Sequence, residues 1–181
     1  MKIIRGNIEG VYIIELNPFK DDRGFFMRTY DEKIFREFGT DYKWVQENHS
    51  ITLRKGIIRG LHFQLPPYSE TKLIRCIRGT VQDVFVDLRK VSDTFGKWDS
   101  VILSEDNFKC VIVPRGFAHG FCTLTDNCEV LYKVDNYYTP EYERGLIWND
   151  MDIGIKWEVE NPILSDKDKK NMTFKEFLSE L

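Results

Sequence analysis

At 181 residues, with a formal net charge of -3, 42% hydrophobic and 30% charged residues, the chain is long enough to bury a sizeable core without metal or disulfide staples. A mildly acidic balance gives no reason to invoke a nucleic-acid backbone or an anionic membrane as partner. No stretch is apolar enough to span a bilayer, and residues 1–6 lack the apolar core and cleavage pattern of a secretion signal, so the expected location is the cytoplasm.

In chain order, 11–16 reads as a strand, 20–24 as a turn and 25–30 as a second strand. Residues 31–39 break the pattern: Ile34, Phe35 and Phe38 fall at helical spacing, Asp31 suits an N-cap and Gly39 a helix stop. Strands are then expected over 44–46, 56–63, 72–78, 81–88, 97–103, 109–113, 120–124 and 129–134. Alternation is clearest in 81–88, where Gln82, Val84, Val86 and Leu88 face one way and Val81, Asp83, Phe85 and Asp87 the other. The tail 166–181 is charged, and Phe174, Phe177 and Leu178 form one apolar face of a predicted helix. With no repeat, linker or low-complexity run, 1–181 reads as one all-β domain, a jelly roll with short flanking helices. Cys76, Cys110, Cys122 and Cys128 form no CxxC pair and are expected to be buried or half-buried free thiols.

Two of the three histidines sit in strand-like segments, Arg59-Gly60-Leu61-His62-Phe63-Gln64 and Pro114-Arg115-Gly116-Phe117-Ala118-His119-Gly120-Phe121, among apolar and glycine residues. An imidazole so placed serves proton transfer or metal ligation, and its neighbours decide which. The pattern Pro114-x-Gly116-x-x-His119 resembles the second motif of the small barrels called cupins. Where a metal-binding cupin carries His-x-His in its first motif, this chain has His62-Phe63-Gln64. An amide is a poor ligand for a transition metal, so no metal is expected. Proton transfer needs a base, an acid and a cation or donor for the developing enolate. His62 suits the base, Tyr132 the acid and Lys72 the cation, with Asp168 or Asp83 to orient the histidine.

Arg59 to Gln64, Lys72-Leu73-Ile74-Arg75, Asp87-Leu88-Arg89, Thr94-Phe95-Gly96-x-Trp98, Pro114 to Phe121, Tyr132-Lys133, Asn136-Tyr137-Tyr138 and Trp148-Asn149-Asp150 follow one family together. From Asp22-Arg23-Gly24-Phe25-Phe26 to Leu164-Ser165-x-Lys167-Asp168, the chain closely resembles the dTDP-4-dehydrorhamnose 3,5-epimerases. The resemblance implies a cupin-like double-stranded β-helix that epimerises a nucleotide-linked 4-keto-6-deoxy sugar at C3, C5 or both, for bacterial surface polysaccharide. It implies no cofactor, and a homodimer whose N-terminal strands cross to the partner. It also implies roles for single residues: His62 as base, Asp168 as its pair, Tyr132 as proton donor and Lys72 near the keto oxygen. Arg23, Gln46, Asn48, Arg59, His119, Glu143 and Lys167 match positions that bind sugar or nucleotide diphosphate, and Tyr138 the aromatic that stacks on the base.

The chain departs from the family at Arg28, counted with the substrate-binding set, where the family commonly has glutamate. Either the reversed charge is a surface change without effect, or it alters the donor sugar or the base recognised, so the expected donor is a dTDP- or GDP-linked 4-keto-6-deoxy sugar, or a GDP-linked 4-keto heptose. A one-carbon epimerase fits the same base and acid. A non-catalytic sugar-binding barrel is disfavoured, because it predicts the loss of one of them. His49, in Asn48-His49-Ser50, is expected to be structural or to support the site from behind.

Overall fold

The computed structural model describes residues 1–39 and 41–180. Short runs rich in β-branched and aromatic residues, divided by glycine and Asn/Asp turns, form thirteen strands: β1 (Lys2–Arg5), β2 (Tyr12–Glu15), β3 (Phe19–Asp21), β4 (Gly24–Phe26), β5 (Gln46–Thr52), β6 (Ile58–Gln64), β7 (Lys72–Arg78), β8 (Thr80–Asp87), β9 (Trp98–Ser104), β10 (Lys109–Val113), β11 (Phe117–Thr123), β12 (Cys128–Val134) and β13 (Glu143–Gly145). One antiparallel sheet runs β1-β2-β10-β7-β12-β5, a second runs β13-β6-β11-β8-β9, and β3 and β4 form a hairpin by themselves. This is a jelly roll with two short helices, α1 (Glu32–Glu37) and α2 (Phe174–Glu180).

Three apolar layers follow from the alternation. Between the sheets lie Ile74, Val111 and Val130 from one side and Val81, Phe85, Phe117 and Phe121 from the other. Val84, Val86 and Leu88 point outward beneath α2, with Phe177 against Phe63. The outer face of the six-stranded sheet carries Ile14, Leu73 and Ile112, capped by Phe35 of α1. Strand β8 thus alternates as expected, yet both of its faces are buried, and Asp83 and Asp87 face inward without solvent. Asp87 is satisfied by Arg89, Ser92 and Thr94. Burial works to raise its pKa, but those bonds outweigh it and hold the carboxyl at about 2.

Several expectations are corrected by the packing. The strand expected over 44–46 is β5, which begins at Gln46 and runs to Thr52; its polar Gln-Glu-Asn-His-Ser sequence hides it. The strand expected over 25–30 shrinks to β4, paired with β3 inside the expected turn. Strands β1 and β13 add to the expected set. The tail is a 3-10 turn (Asp168–Lys170) followed by α2, so the helix is shorter than expected, and Leu178 is exposed whereas Phe177 is buried; Leu181 lies outside the described residues. Asp31 caps α1 through Lys33 N, and Gly39 follows it at φ +76. All four cysteines are free and buried. Among the described residues, no helix is long and apolar enough to cross a membrane.

One pair of glycines sets the geometry near the middle of the five-stranded sheet. A β-carbon on Gly60, at φ +127, would lie 2.6 Å from Gly120 Cα, and one on Gly120 would lie 2.7 Å from the Arg59 carbonyl oxygen. Here β6 and β11 approach closely and their register shifts between His119 and Phe121. Gly60→Ala is therefore expected to destabilise the fold by roughly 3 kcal/mol, from a strained φ and a backbone clash, read as a lowered urea midpoint.

Candidate active site

The strand register puts His62 directly opposite His119. Both line a cavity of about 490 Å³ between the sheets, together with Lys72, Tyr132, Arg59, Ser50, Lys167 and Asp168. The histidines and Arg59 come from β6 and β11 of the five-stranded sheet. Lys72 comes from β7, Tyr132 from β12 and Ser50 from β5 of the six-stranded sheet. Two sheets therefore offer different chemistry to one space.

Each histidine has its own carboxylate. The Nε2 of His62 lies 2.6 Å from Asp168 Oδ1, and Nε2 of His119 lies 3.0 and 2.9 Å from the two oxygens of Asp83. With the carboxylates accepting, Nε2 carries the proton in both rings, and the second ring nitrogen of each is left as an acceptor. The two pairs differ in access: the His62 side chain is 31% exposed and the His119 side chain 9%. Asp168 is held by the turn that follows Ser165, whose Oγ accepts from Asp168 N, and its second oxygen accepts from Gly60 N at 3.4 Å. Burial acts to raise the Asp168 pKa, but the His62 bond and charge and the Gly60 amide outweigh it and hold the carboxyl below its ordinary range.

Tyr132 is half-buried, with Lys72 Nζ 6.0 Å from its ring centroid. Burial first, then the charge of Glu70, pushes its phenol pKa up, so the hydroxyl stays protonated. Lys72 Nζ pairs with Glu70 Oε1 at 3.1 Å. Among the described residues, the buried Ser50 Oγ at the cavity has no hydrogen-bond partner.

A second group extends the cavity outward. Gln46 Oε1 accepts from Tyr138 N at 2.7 Å, the Tyr138 hydroxyl donates to Glu143 Oε2 at 3.0 Å, and Lys167 Nζ donates to the same oxygen at 2.7 Å. Burial acts to raise the Glu143 pKa, but the Lys167 and Tyr138 bonds outweigh it and the carboxyl lies below its ordinary range. Asn48 sits opposite Tyr132 in the sheet, and Arg59 Nε donates to Thr52 Oγ1 at 2.9 Å. Tyr138 itself is exposed, a free aromatic face at the rim.

Two expected site residues stand elsewhere on this chain. Arg23 lies on the β3–β4 hairpin, almost fully exposed and bound to Asp21. Arg28 is exposed and donates to the helix-capping Asp31. His49 points outward and pairs with Glu129 at 3.1 Å. Glu70, Ser50 and Ser165 join the site without having been expected there; for Glu70, a carboxylate two residues before Lys72 on one face is the signal that could have found it.

A metal does not fit this donor set. Gln64, standing where a second first-motif histidine would be, has its amide engaged: Nε2 donates to Tyr68 O and Glu70 Oε2, each at 2.9 Å, while Oε1 accepts from Thr139 N at 2.7 Å, and among the described residues no group of three or more His, Cys, Asp or Glu side chains could hold a metal ion.

A jelly roll with a His–Asp pair facing a tyrosine and a lysine across one cavity defines a cupin-like isomerase, an enzyme that moves protons. The family model described as dTDP-4-dehydrorhamnose 3,5-epimerase matches residues 5–176, and the chain belongs to that family. It is 49% identical over 175 residues to the dTDP-4-dehydrorhamnose 3,5-epimerase of Shigella flexneri, covering 96% of each chain. The structure of the Bacillus anthracis dTDP-4-dehydrorhamnose 3,5-epimerase, with TDP and PPi bound, superposes with a TM-score of 0.93 at 46% identity, covering 96% of this chain and 99% of that one. A 3'-monoepimerase from Streptomyces bikiniensis, in complex with dTDP-quinovose, gives 0.89 at 32% identity, covering 97% and 90%.

The lowered Asp168 carboxyl carries a sign for stability. A depressed folded pKa contributes stability above the unfolded value, near 3.9, and that contribution is lost as pH falls through the folded value. Asp168→Asn is expected to cost about 1–3 kcal/mol at pH 7 in urea unfolding, with the difference from the parent shrinking below pH 4.

Proposed function

We propose that this chain, folded as one domain and working in the cytoplasm, inverts C3 and C5 of a dTDP-linked 4-keto-6-deoxy sugar by removing and returning protons. The observation that carries the reading is the His62–Asp168 pair on one wall of the cavity with Tyr132 and Lys72 on the other. The 4-keto group acidifies the C–H bonds at C3 and C5. His62 takes the proton through its free ring nitrogen, and Asp168 holds the imidazolium that forms. Lys72 meets the charge that gathers on the keto oxygen, and Tyr132, kept protonated by burial, returns a proton from the other face. No electron leaves the sugar, so the reaction needs no redox cofactor.

The nucleotide end is assigned to Tyr138 for the base and to Arg59, His119, Lys167, Gln46 and Asn48 for diphosphate and sugar, with Glu143 orienting Lys167 and Tyr138. The bound TDP of the Bacillus anthracis enzyme supports thymidine over guanosine. The reading also takes the protein to be a homodimer, with Arg23 and Arg28 brought to the partner's cavity. Its support is the hairpin itself, which leaves Phe19, Phe25 and Phe26 exposed with Arg23 between them. A monomer in sedimentation at micromolar concentration would remove this part. Inversion at one carbon draws its support from the likeness to the Streptomyces bikiniensis 3'-monoepimerase.

Proton-exchange NMR in deuterated water, with dTDP- and GDP-linked 4-keto-6-deoxy sugars offered side by side, tests the whole reading. Deuterium is expected at C3 and C5 of the dTDP sugar. His62→Ala should abolish exchange while leaving dTDP affinity within about threefold, and Tyr132→Phe should slow epimerisation by about 100-fold, more than it slows deuterium wash-in. Wild-type exchange rates in His62→Ala would sink the mechanism.

A further inference from the structure

The proposed mechanism leaves Glu70 and Gln64 without a task, although both are built into the site. Lys72 and Glu70 side chains are 11% and 12% exposed, and their pair spans 3.1 Å. An ammonium this deep needs a compensating anion, or its burial is costly. The other carboxylate oxygen of Glu70 accepts from Gln64 Nε2 at 2.9 Å. Gln64 is buried; its Nε2 is shared between Glu70, Tyr68 O at 2.9 Å and, at a longer 3.2 Å, Tyr137 O, and its Oε1 accepts from Thr139 N at 2.7 Å, so two of its partners are the Tyr137 carbonyl and the Thr139 amide. Those two backbone groups flank Tyr138.

We propose that Glu70 is a positioning residue that fixes the Lys72 ammonium at the cavity wall, and that Gln64 locks Glu70 in place while tying it to the segment that carries Tyr138. The proposal rests on the epimerase function, since it needs Lys72 at the keto oxygen. It deepens that function by making the two ends of the site one hydrogen-bonded unit. A carboxylate buried against Gln64 Nε2 is worth keeping only if it has a job, because an apolar pair would pack there without risk of an unsatisfied group. Shifting a stabilising cation by even an ångström lowers the rate of a step that depends on it by about 100-fold.

A double-mutant cycle on the full chain tests this, with deuterium exchange at C3 and C5 of the dTDP-linked 4-keto sugar followed over hours and dTDP affinity measured by calorimetry. Glu70→Gln keeps the shape and removes the charge. It is expected to slow exchange by about 10- to 100-fold while leaving dTDP affinity within about twofold, and Glu70→Asp to recover part of the loss. In a Lys72→Met background the same change should cost less than about twofold, because the residue it acts through is gone. Gln64→Leu should slow exchange and weaken dTDP together. Equal losses in both backgrounds would assign Glu70 a general structural role and overturn the proposal, as would wild-type exchange in Glu70→Gln. Lys72→Met with undiminished exchange, beside an inactive His62→Ala, would overturn it and leave the epimerase standing. A wild-type chain that exchanges neither proton would overturn the epimerase function and this proposal with it.

Discussion

The close approach of Gly60 and Gly120 is the constraint on which the site depends. Two strands can pinch this tightly only where neither carries a β-carbon, and the register shift that results leaves His62 and His119 facing one another across the ladder. The same bend turns the Gly60 amide toward Asp168, so one backbone feature both aims the imidazole and helps hold the carboxylate that pairs with it. The motif glycines are thus part of the chemistry without touching it.

Around that pinch, four ionisable pairs stand ready before any substrate arrives: His62 with Asp168, His119 with Asp83, Lys72 with Glu70 and Lys167 with Glu143. Pre-pairing is how a protein keeps charges ready in a half-dry space without losing them to neutralisation. It also separates two histidines that look alike in the sequence. Asp83 is buried at the sheet centre and grips His119 with both oxygens, an arrangement suited to a fixed donor. Asp168 sits on a turn and grips the more open His62 with one oxygen, which leaves that ring free to meet a ligand. The two candidate orienting aspartates are not rivals; each has its own histidine.

Much of the barrel is legible in the sequence because alternation is strong where two layers must be filled. The strands over 72–78, 109–113 and 129–134 match β7, β10 and β12 within a residue. Legibility fails where side chains do not announce a buried face. Strand β5 reads as polar because the half-buried face of Gln46, Asn48 and Ser50 turns to Tyr138 and the cavity and not to an apolar layer: Gln46 accepts from Tyr138 N, and Ser50 lines the cavity. Strand β13 is three residues long and exists only by pairing with β6. The run Asp166 to Lys170 has the look of a solvated turn, yet Asp168 within it is buried. No local signal marks that burial, since β6 creates it from more than a hundred positions away, about 106 by the His62 contact; family resemblance alone singles the residue out. Glu70 is hidden for a like reason: its importance comes from Gln64 and Lys72 closing around it.

The separation of 106 positions between His62 and Asp168 has a consequence for the life of the molecule. The ladder of β6 with β11 and β8 can assemble once residue 123 has left the ribosome, while the acidic half of the dyad is still untranslated. A nascent chain at that stage holds the imidazole without the group that orients it. The pair therefore closes only with the last stretch of translation, and the same stretch brings Lys167 to Glu143, so both ends of the cavity are completed together and late.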